Sequence, residues 1–207
     1  MTHTATPASR RTRTLTVAIV VIATAVAAAT TVAALTLTPT TLSLAPASPA
    51  GAAGSTPLIG ADGSVPDGVT PFDDDVAAVA NLNPDLLDAL RRAATDASDA
   101  GITIIVNSGW RSPEYQEQLL HDAVDTYGSE EEAARWVATA ETSPHVQGDA
   151  VDVGSYDAVT WLAENGAAYG LCQIYDNEAW HFELRAAAIS DGCPRKYFDP
   201  TYDPRMQ

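Results

Sequence analysis

Three histidines, His121, His145 and His181, lie beyond the N-terminal stretch that holds His3. Two of them stand in unusual company. His145 sits in Ser143-Pro144-His145-Val146-Gln147-Gly148-Asp149-Ala150-Val151-Asp152, and His181 closes Glu178-Ala179-Trp180-His181. Zinc takes neutral imidazole nitrogens and carboxylate oxygens, and a catalytic site leaves one position open for water. His145, Asp152 and His181 offer two imidazoles and one carboxylate, and Gly148 lets the backbone turn between the first two. Glu178 is then free to act as general base on a water that attacks a carbonyl. On one regular strand, residues three apart face opposite sides. Glu178 and His181 therefore share a site only if Glu178 lies in a turn. Glu183 is two residues from His181, shares its face on a strand, and stands as an alternative base. Spacing alone leaves a second reading open, in which each histidine is a packed or solvent-linked side chain. His121, in a polar helical context, is expected to be exposed and outside the set.

These residues need elements to position them. Asn83-Pro84-Asp85 reads as a helix start, with Asn as cap and Pro at the first helical position. Leu86, Leu87, Leu90, Ala93, Ala94 and Ala97 give that helix an apolar stripe, and Gly101 ends it. Ile102 to Val106 is a short β-branched run, expected to be a buried strand. Ser112-Pro113-Glu114 starts a second helix through about Asp125. Ser129 with Glu132 forms a capping-box pattern ahead of Ala133, Ala134, Trp136 and Val137. Ala150 to Val153 reads as a strand, and Asp157 to Glu164 as a helix that stops near Asn165-Gly166. Leu171 to Tyr175 and Ala179 to Leu184 read as paired strands joined at Asp176-Asn177. Helices followed by paired strands predict an α+β domain with helices packed on a small antiparallel sheet.

The N-terminal third differs in kind. Residues 1–14 are a basic tail with Arg10, Arg11 and Arg13, and residues 15–37 are an uncharged apolar run. Such a run can span a hydrocarbon core of about 30 Å, and the basic cluster before it predicts a cytoplasmic N-terminus. It is expected to be a retained single-span membrane anchor with the remainder outside the cytoplasm. The other reading is a cleaved signal and a secreted domain. Residues 38–70, rich in Pro, Gly, Ala, Ser and Thr, are expected to be a flexible linker. Residues 71–207 form the candidate domain, of ordinary size for one core. It carries 8 basic and 25 acidic side chains, a net charge of −17. Phosphate backbones would repel it, which argues against nucleic-acid binding. A monomer is expected. Cys172 and Cys193 are an even pair, which in an exported domain suggests one disulfide; the other reading is two buried thiols. The bridge would close a loop around the Glu178–His181 segment and contribute about 3 kcal/mol in the chain-entropy model.

The segments Ser143-x-His145-x-x-Gly148-x-Ala150-x-Asp152 and Glu178-x-Trp180-His181 resemble the two signature motifs of the D-alanyl-D-alanine carboxypeptidases of the VanY type. That family belongs to a wider group of zinc peptidases that includes D,D-dipeptidases, phage endolysins and the Hedgehog-like fold. Ser108-Gly109-Trp110-Arg111-Ser112 is similar to a third family segment, and the order and separation of all three match over roughly the last 110 residues. The resemblance implies Zn²⁺ bound by His145, Asp152 and His181, with Glu178 as catalytic base and acid. It implies that Arg111 stabilises the oxyanion, a role suited to a charge that cannot be lost, and that Ser143 and Gln116 lie near substrate. The implied activity is hydrolysis of the terminal D-Ala-D-Ala bond of peptidoglycan stem peptides. The alternatives are an endopeptidase of the same fold and a non-catalytic cell-wall binding module. Pro144, Val146 and Asp149 depart from the family pattern at positions that are not proposed ligands. Trp180 matches it, either walling the pocket or packing; Trp110, Trp136, Trp161 and Tyr115 are expected to pack.

Overall fold

The computed structural model describes residues 57–207. The expected basic tail and apolar span, and the linker up to residue 56, lie outside the described residues. Among the described residues no helix is long and apolar enough to cross a membrane.

The chain builds helix α1 (Ala77–Ala80), α2 (Pro84–Asp99), strand β1 (Ile105–Ser108), α3 (Pro113–Tyr127), α4 (Glu130–Ala133), β2 (Ala150–Gly154), α5 (Tyr156–Asn165), β3 (Leu171–Gln173), β4 (His181–Leu184) and α6 (Ala188–Asp191). Two 3-10 turns, Pro200–Tyr202 and Pro204–Met206, follow. The strands form one antiparallel sheet in the order β1-β2-β4-β3, so the expected α+β arrangement of helices on a small antiparallel sheet is what the chain adopts.

Local chemistry sets the helix ends. The Asn83 side chain accepts from the Asp85 amide, and Ser112 and Ser129 cap α3 and α4 in the same way, each satisfying an amide that the helix leaves without a partner. Gly128 adopts the left-handed conformation that ends α3. The two cysteines are joined in a disulfide.

Strand alternation then sorts side chains between two faces. Val151 and Val153 of β2 and Phe182 of β4 join the main core with Leu86, Leu90, Ala93 and Ala97 of α2 and Ala158 and Leu162 of α5. The opposite parity carries Asp152, His181 and Glu183. The register pairs Asp152 with His181 and Ala150 with Glu183, so one side of this sheet is hydrocarbon and the other holds ionisable groups. A smaller apolar cluster of Cys172, Ile174, Tyr175 and Ala188, with Met206 against it, lies beside those groups.

Several expected bounds are corrected. Residues 57–70 are not free linker. Ile59 bridges Val76, Val69 is buried in the main core, and the Val106 amide donates to the Val69 carbonyl. A few apolar residues in a Pro/Gly-rich stretch suffice to anchor it. The first strand is Ile105–Ser108 rather than 102–106. The Ile102 amide still closes the α2 C-terminus on the Ala97 carbonyl, so pairing with β2 begins only at Ile105. The last two strands are likewise shorter than expected: β3 ends at Gln173, and β4 begins at His181 because Asp176 to Trp180 form the connecting turn.

Candidate metal centre

Asp152 and His181 face each other across the β2–β4 ladder. His145 comes from the loop before β2. Gly148 shapes that loop with a backbone φ of +75°, where a Cβ would stand 2.6 Å from the Asn81 carbonyl oxygen; only glycine fits. The exposed Asp149 accepts from Asn83 Nδ2 at 3.1 Å and ties the loop to the start of α2. One ligand atom each from His145, Asp152 and His181 lies within 4.8 Å of the others, and all three residues are buried. The three side chains whose types suggested a metal site therefore converge.

Each imidazole has one nitrogen committed elsewhere. His145 Nδ1 is 2.8 Å from the Gly109 carbonyl oxygen. A carbonyl only accepts, so the proton belongs on Nδ1 and the Nε2 lone pair faces Asp152 Oδ1, 3.4 Å away. His181 Nδ1 is 3.2 Å from Asp152 Oδ1, and its Nε2 is 3.2 Å from Glu183 Oε1. Glu183 is thus engaged behind His181. It also accepts from Arg185 Nη2 and from both terminal nitrogens of Arg205, so it is not poised as a free base. The sequence placed Glu183 on the right face but offered no sign of its arginine partners.

Glu178 lies in the turn before β4, as the shared site requires. The His181 amide donates to the Glu178 carbonyl, and Asn177 Nδ2 donates to the Arg135 carbonyl to fix the turn. Glu178 Oε2 is 3.8 Å from His181 Nδ1, while its buried Oε1 has no hydrogen-bond partner in the protein.

Arg111 enters from the other side, just after β1. Its Nε donates to Ser108 Oγ at 2.8 Å, Nη1 to Gln116 Oε1 at 3.0 Å and Nη2 to Asp152 Oδ2 at 2.9 Å. Each terminal nitrogen retains a second N–H. Both ends of the Gln116 amide are used, since Nε2 donates to the Ala138 carbonyl; Gln116 holds Arg111. Ser143 is buried beside His145 in the wall of a cleft of about 330 Å³ that also contains Arg111, Glu178 and Trp180. Trp180 is 42% exposed and walls that cleft. Trp136, expected only to pack, also lines it, stacked on Tyr127. Trp161 packs on Tyr169. His121 is exposed and sits 3.8 Å from Asp125 on the same helix, away from the cluster.

The electrostatics divide the acids. Burial pushes the Glu178 carboxyl up to about 7, against the pull of His181 and Arg111. Burial also opposes ionisation of Asp152 and Glu183, but the facing histidines hold Asp152 well below its usual range, and His181 and Arg205 do the same for Glu183. Burial lowers His145, whereas at His181 the carboxylates of Asp152 and Glu183 outweigh burial and push the imidazole up to about 9. Two imidazoles, an ionised carboxylate and a neighbouring carboxyl of near-neutral proton affinity fit a divalent cation with an open position.

Residues 79–186 match the VanY family, D-alanyl-D-alanine carboxypeptidase. A D-alanyl-D-alanine carboxypeptidase of Enterococcus faecalis (strain ATCC 700802 / V583) is 29% identical over 126 residues, covering 49% of this chain and 46% of that protein. The chain therefore spans less than half the length of that curated relative. Among solved structures, VanYB in complex with D-alanine-D-alanine is 25% identical with a TM-score of 0.50, covering 54% of this chain and 74% of that one. A VanY D,D-pentapeptidase mutant in complex with Zn(II) is 26% identical with a TM-score of 0.49, covering 52% and 75%. The family match covers more than half of the chain and includes every residue of the cluster, and on that ground the chain belongs to the VanY D-alanyl-D-alanine carboxypeptidase family.

Proposed function

We propose that this protein is a Zn²⁺-dependent D,D-carboxypeptidase that removes the terminal D-alanine from peptidoglycan stem peptides. The observation that carries the reading is the convergence of His145, Asp152 and His181 beside the buried Glu178. Family membership and the D-alanine-D-alanine bound by VanYB support the substrate class.

His145, Asp152 and His181 would hold the cation, which supplies Lewis acidity toward the scissile carbonyl and lowers the proton affinity of a water. Glu178 takes the proton of the attacking water. A carboxyl near 7 is half-ionised at neutral pH and can both accept that proton and return it to the leaving amine. Arg111, held by Ser108, Gln116 and Asp152, lines the cleft and retains N–H groups that would stabilise developing charge on the carbonyl oxygen. Pre-set hydrogen bonds of this kind need no reorganisation during the reaction. Ser143 lines the cleft where substrate backbone would lie.

Residues 15–37 would anchor the protein in the membrane, with residues 71–207 outside the cytoplasm where the substrate is found, and the chain would act as a monomer. Incubation of the protein with a pentapeptide stem and with intact sacculi tests the activity. Release of D-alanine from the pentapeptide, abolished by a chelator and restored by Zn²⁺, supports it. Cleavage of cross-links alone would make the protein an endopeptidase, and no cleavage of either substrate would make it a binding module.

A further inference from the structure

The buried carboxylate of Glu183 is gathered by three residues from two separate parts of the chain. It is 1% exposed, yet it meets three positively charged or protonated groups. His181 Nε2 is 3.2 Å from Oε1. Arg185 Nη2 donates to Oε2 at 2.6 Å. Arg205, in the last 3-10 turn, forks across both oxygens at 2.7 and 3.1 Å. Arg205 is itself held by Asp203, which is fully buried and accepts from the Arg205 amide and guanidinium and from the Tyr175 hydroxyl. The Tyr175 ring packs on the His181 imidazole with centroids 5.2 Å apart. A chain of partners thus runs Asp203–Arg205–Glu183–His181 and closes through Tyr175.

The fork has a chemical consequence. Both oxygens of Glu183 take guanidinium N–H groups, which only donate, so this carboxylate acts as an acceptor at each contact. Its partner on His181 is then Nε2–H, so Nδ1, which faces Asp152, is the nitrogen left to give its lone pair to a cation once its proton is displaced. A histidine binds a cation through a lone pair, and the partner of its other nitrogen fixes both tautomer and ring orientation. We propose that Arg205 is a positioning residue for the metal centre, acting through Glu183 to set the tautomer and orientation of His181. This rests on the Zn²⁺ site proposed above. It adds that the C-terminal turn, whose Arg205 lies 19 residues beyond the last family-matched position, is part of that site.

The inference predicts that metal affinity depends on a side chain that touches neither metal nor substrate. Zn²⁺ affinity of the full chain is measured by competition with a chromophoric chelator for wild type, Arg205→Gln and Arg205→Lys, with the melting temperature of each. His181 is assigned in the Zn²⁺-loaded wild type by ¹⁵N–¹H correlation of its ring nitrogens. The expected results are a proton on Nε2 of His181, a loss of roughly 10–100-fold in Zn²⁺ affinity for Arg205→Gln, and partial recovery in Arg205→Lys, which restores the charge but not the fork. A wild type that binds no Zn²⁺ overturns the metal site itself. A wild type that binds Zn²⁺ with the proton on Nδ1 of His181 overturns the positioning role alone, even if neither variant folds. Wild-type affinity in a folded Arg205→Gln does the same.

Discussion

Asp152 stands directly across the sheet from His181, and its two oxygens serve two partners: Oδ1 lies 3.2 Å from His181 Nδ1, while Oδ2 accepts from Arg111 Nη2 at 2.9 Å. One carboxylate therefore links the proposed ligand set to Arg111, the arginine proposed to stabilise the oxyanion. Asp152→Asn keeps the shape and removes the charge. It is expected to lower Zn²⁺ affinity by more than the roughly 10–100-fold cost of losing a supporting residue, and to abolish turnover. Elemental analysis of the dialysed variant checks it; a full equivalent of zinc would remove Asp152 from the ligand set.

Glu178 is proposed to move protons, not to bind the cation. Glu178→Gln should retain one zinc per chain and lose roughly 10²–10⁴-fold in kcat. Zinc content and release of D-alanine are read on the same sample. Turnover near the wild-type level would mean another group is the base. Glu183 is a poor candidate, because His181, Arg185 and Arg205 occupy its oxygens.

Cation binding should release a proton near neutral pH. His181 sits at about 9 because Asp152 and Glu183, against burial, favour its charged form. To donate Nδ1 to a cation, it must lose that proton. Affinity should then rise with pH, about tenfold per unit while one proton is displaced, up to the pKa of the group. Calorimetry in buffers of different ionisation enthalpy measures the proton count. An affinity flat from pH 6 to 8 would show that His181 is already neutral.

The Cys172–Cys193 bond closes a loop around the turn that carries Glu178. Replacing both cysteines with alanine should cost about 2–4 kcal/mol of stability, read as a lower melting temperature and a lower denaturant midpoint. Mass spectrometry without reductant should find the two cysteines linked; two alkylatable thiols would contradict the bond.

Much of this was legible in the sequence because it is locally encoded. Asn83, Ser112 and Ser129 announced their helices through capping chemistry, and the β-branched and aromatic runs marked three of the four strands closely enough to place Asp152 and His181. Gly148 signalled a turn that only glycine can make. The residues that the sequence left ambiguous act through contacts between distant parts of the chain. Glu178 and Glu183 could not be told apart by spacing, because the distinction depends on where the turn ends and on Arg205, 22 residues further on. Residues 57–70 looked like linker because composition does not reveal that Val69 fills a gap in the core. Gln116 was expected near substrate; it lines the cleft, and its amide also bridges Arg111 and Ala138, a role set by packing between α3 and the loop that follows α4.

Diffraction from crystals of the Zn²⁺-loaded protein, recorded on both sides of the zinc absorption edge, tests the central claim most directly. The account predicts a single anomalous peak at about 2.0–2.2 Å from His145 Nε2, an Asp152 oxygen and His181 Nδ1, with Glu178 beside it but uncoordinated. A peak elsewhere, or one coordinated by Glu183 or His121 in place of these ligands, would contradict it.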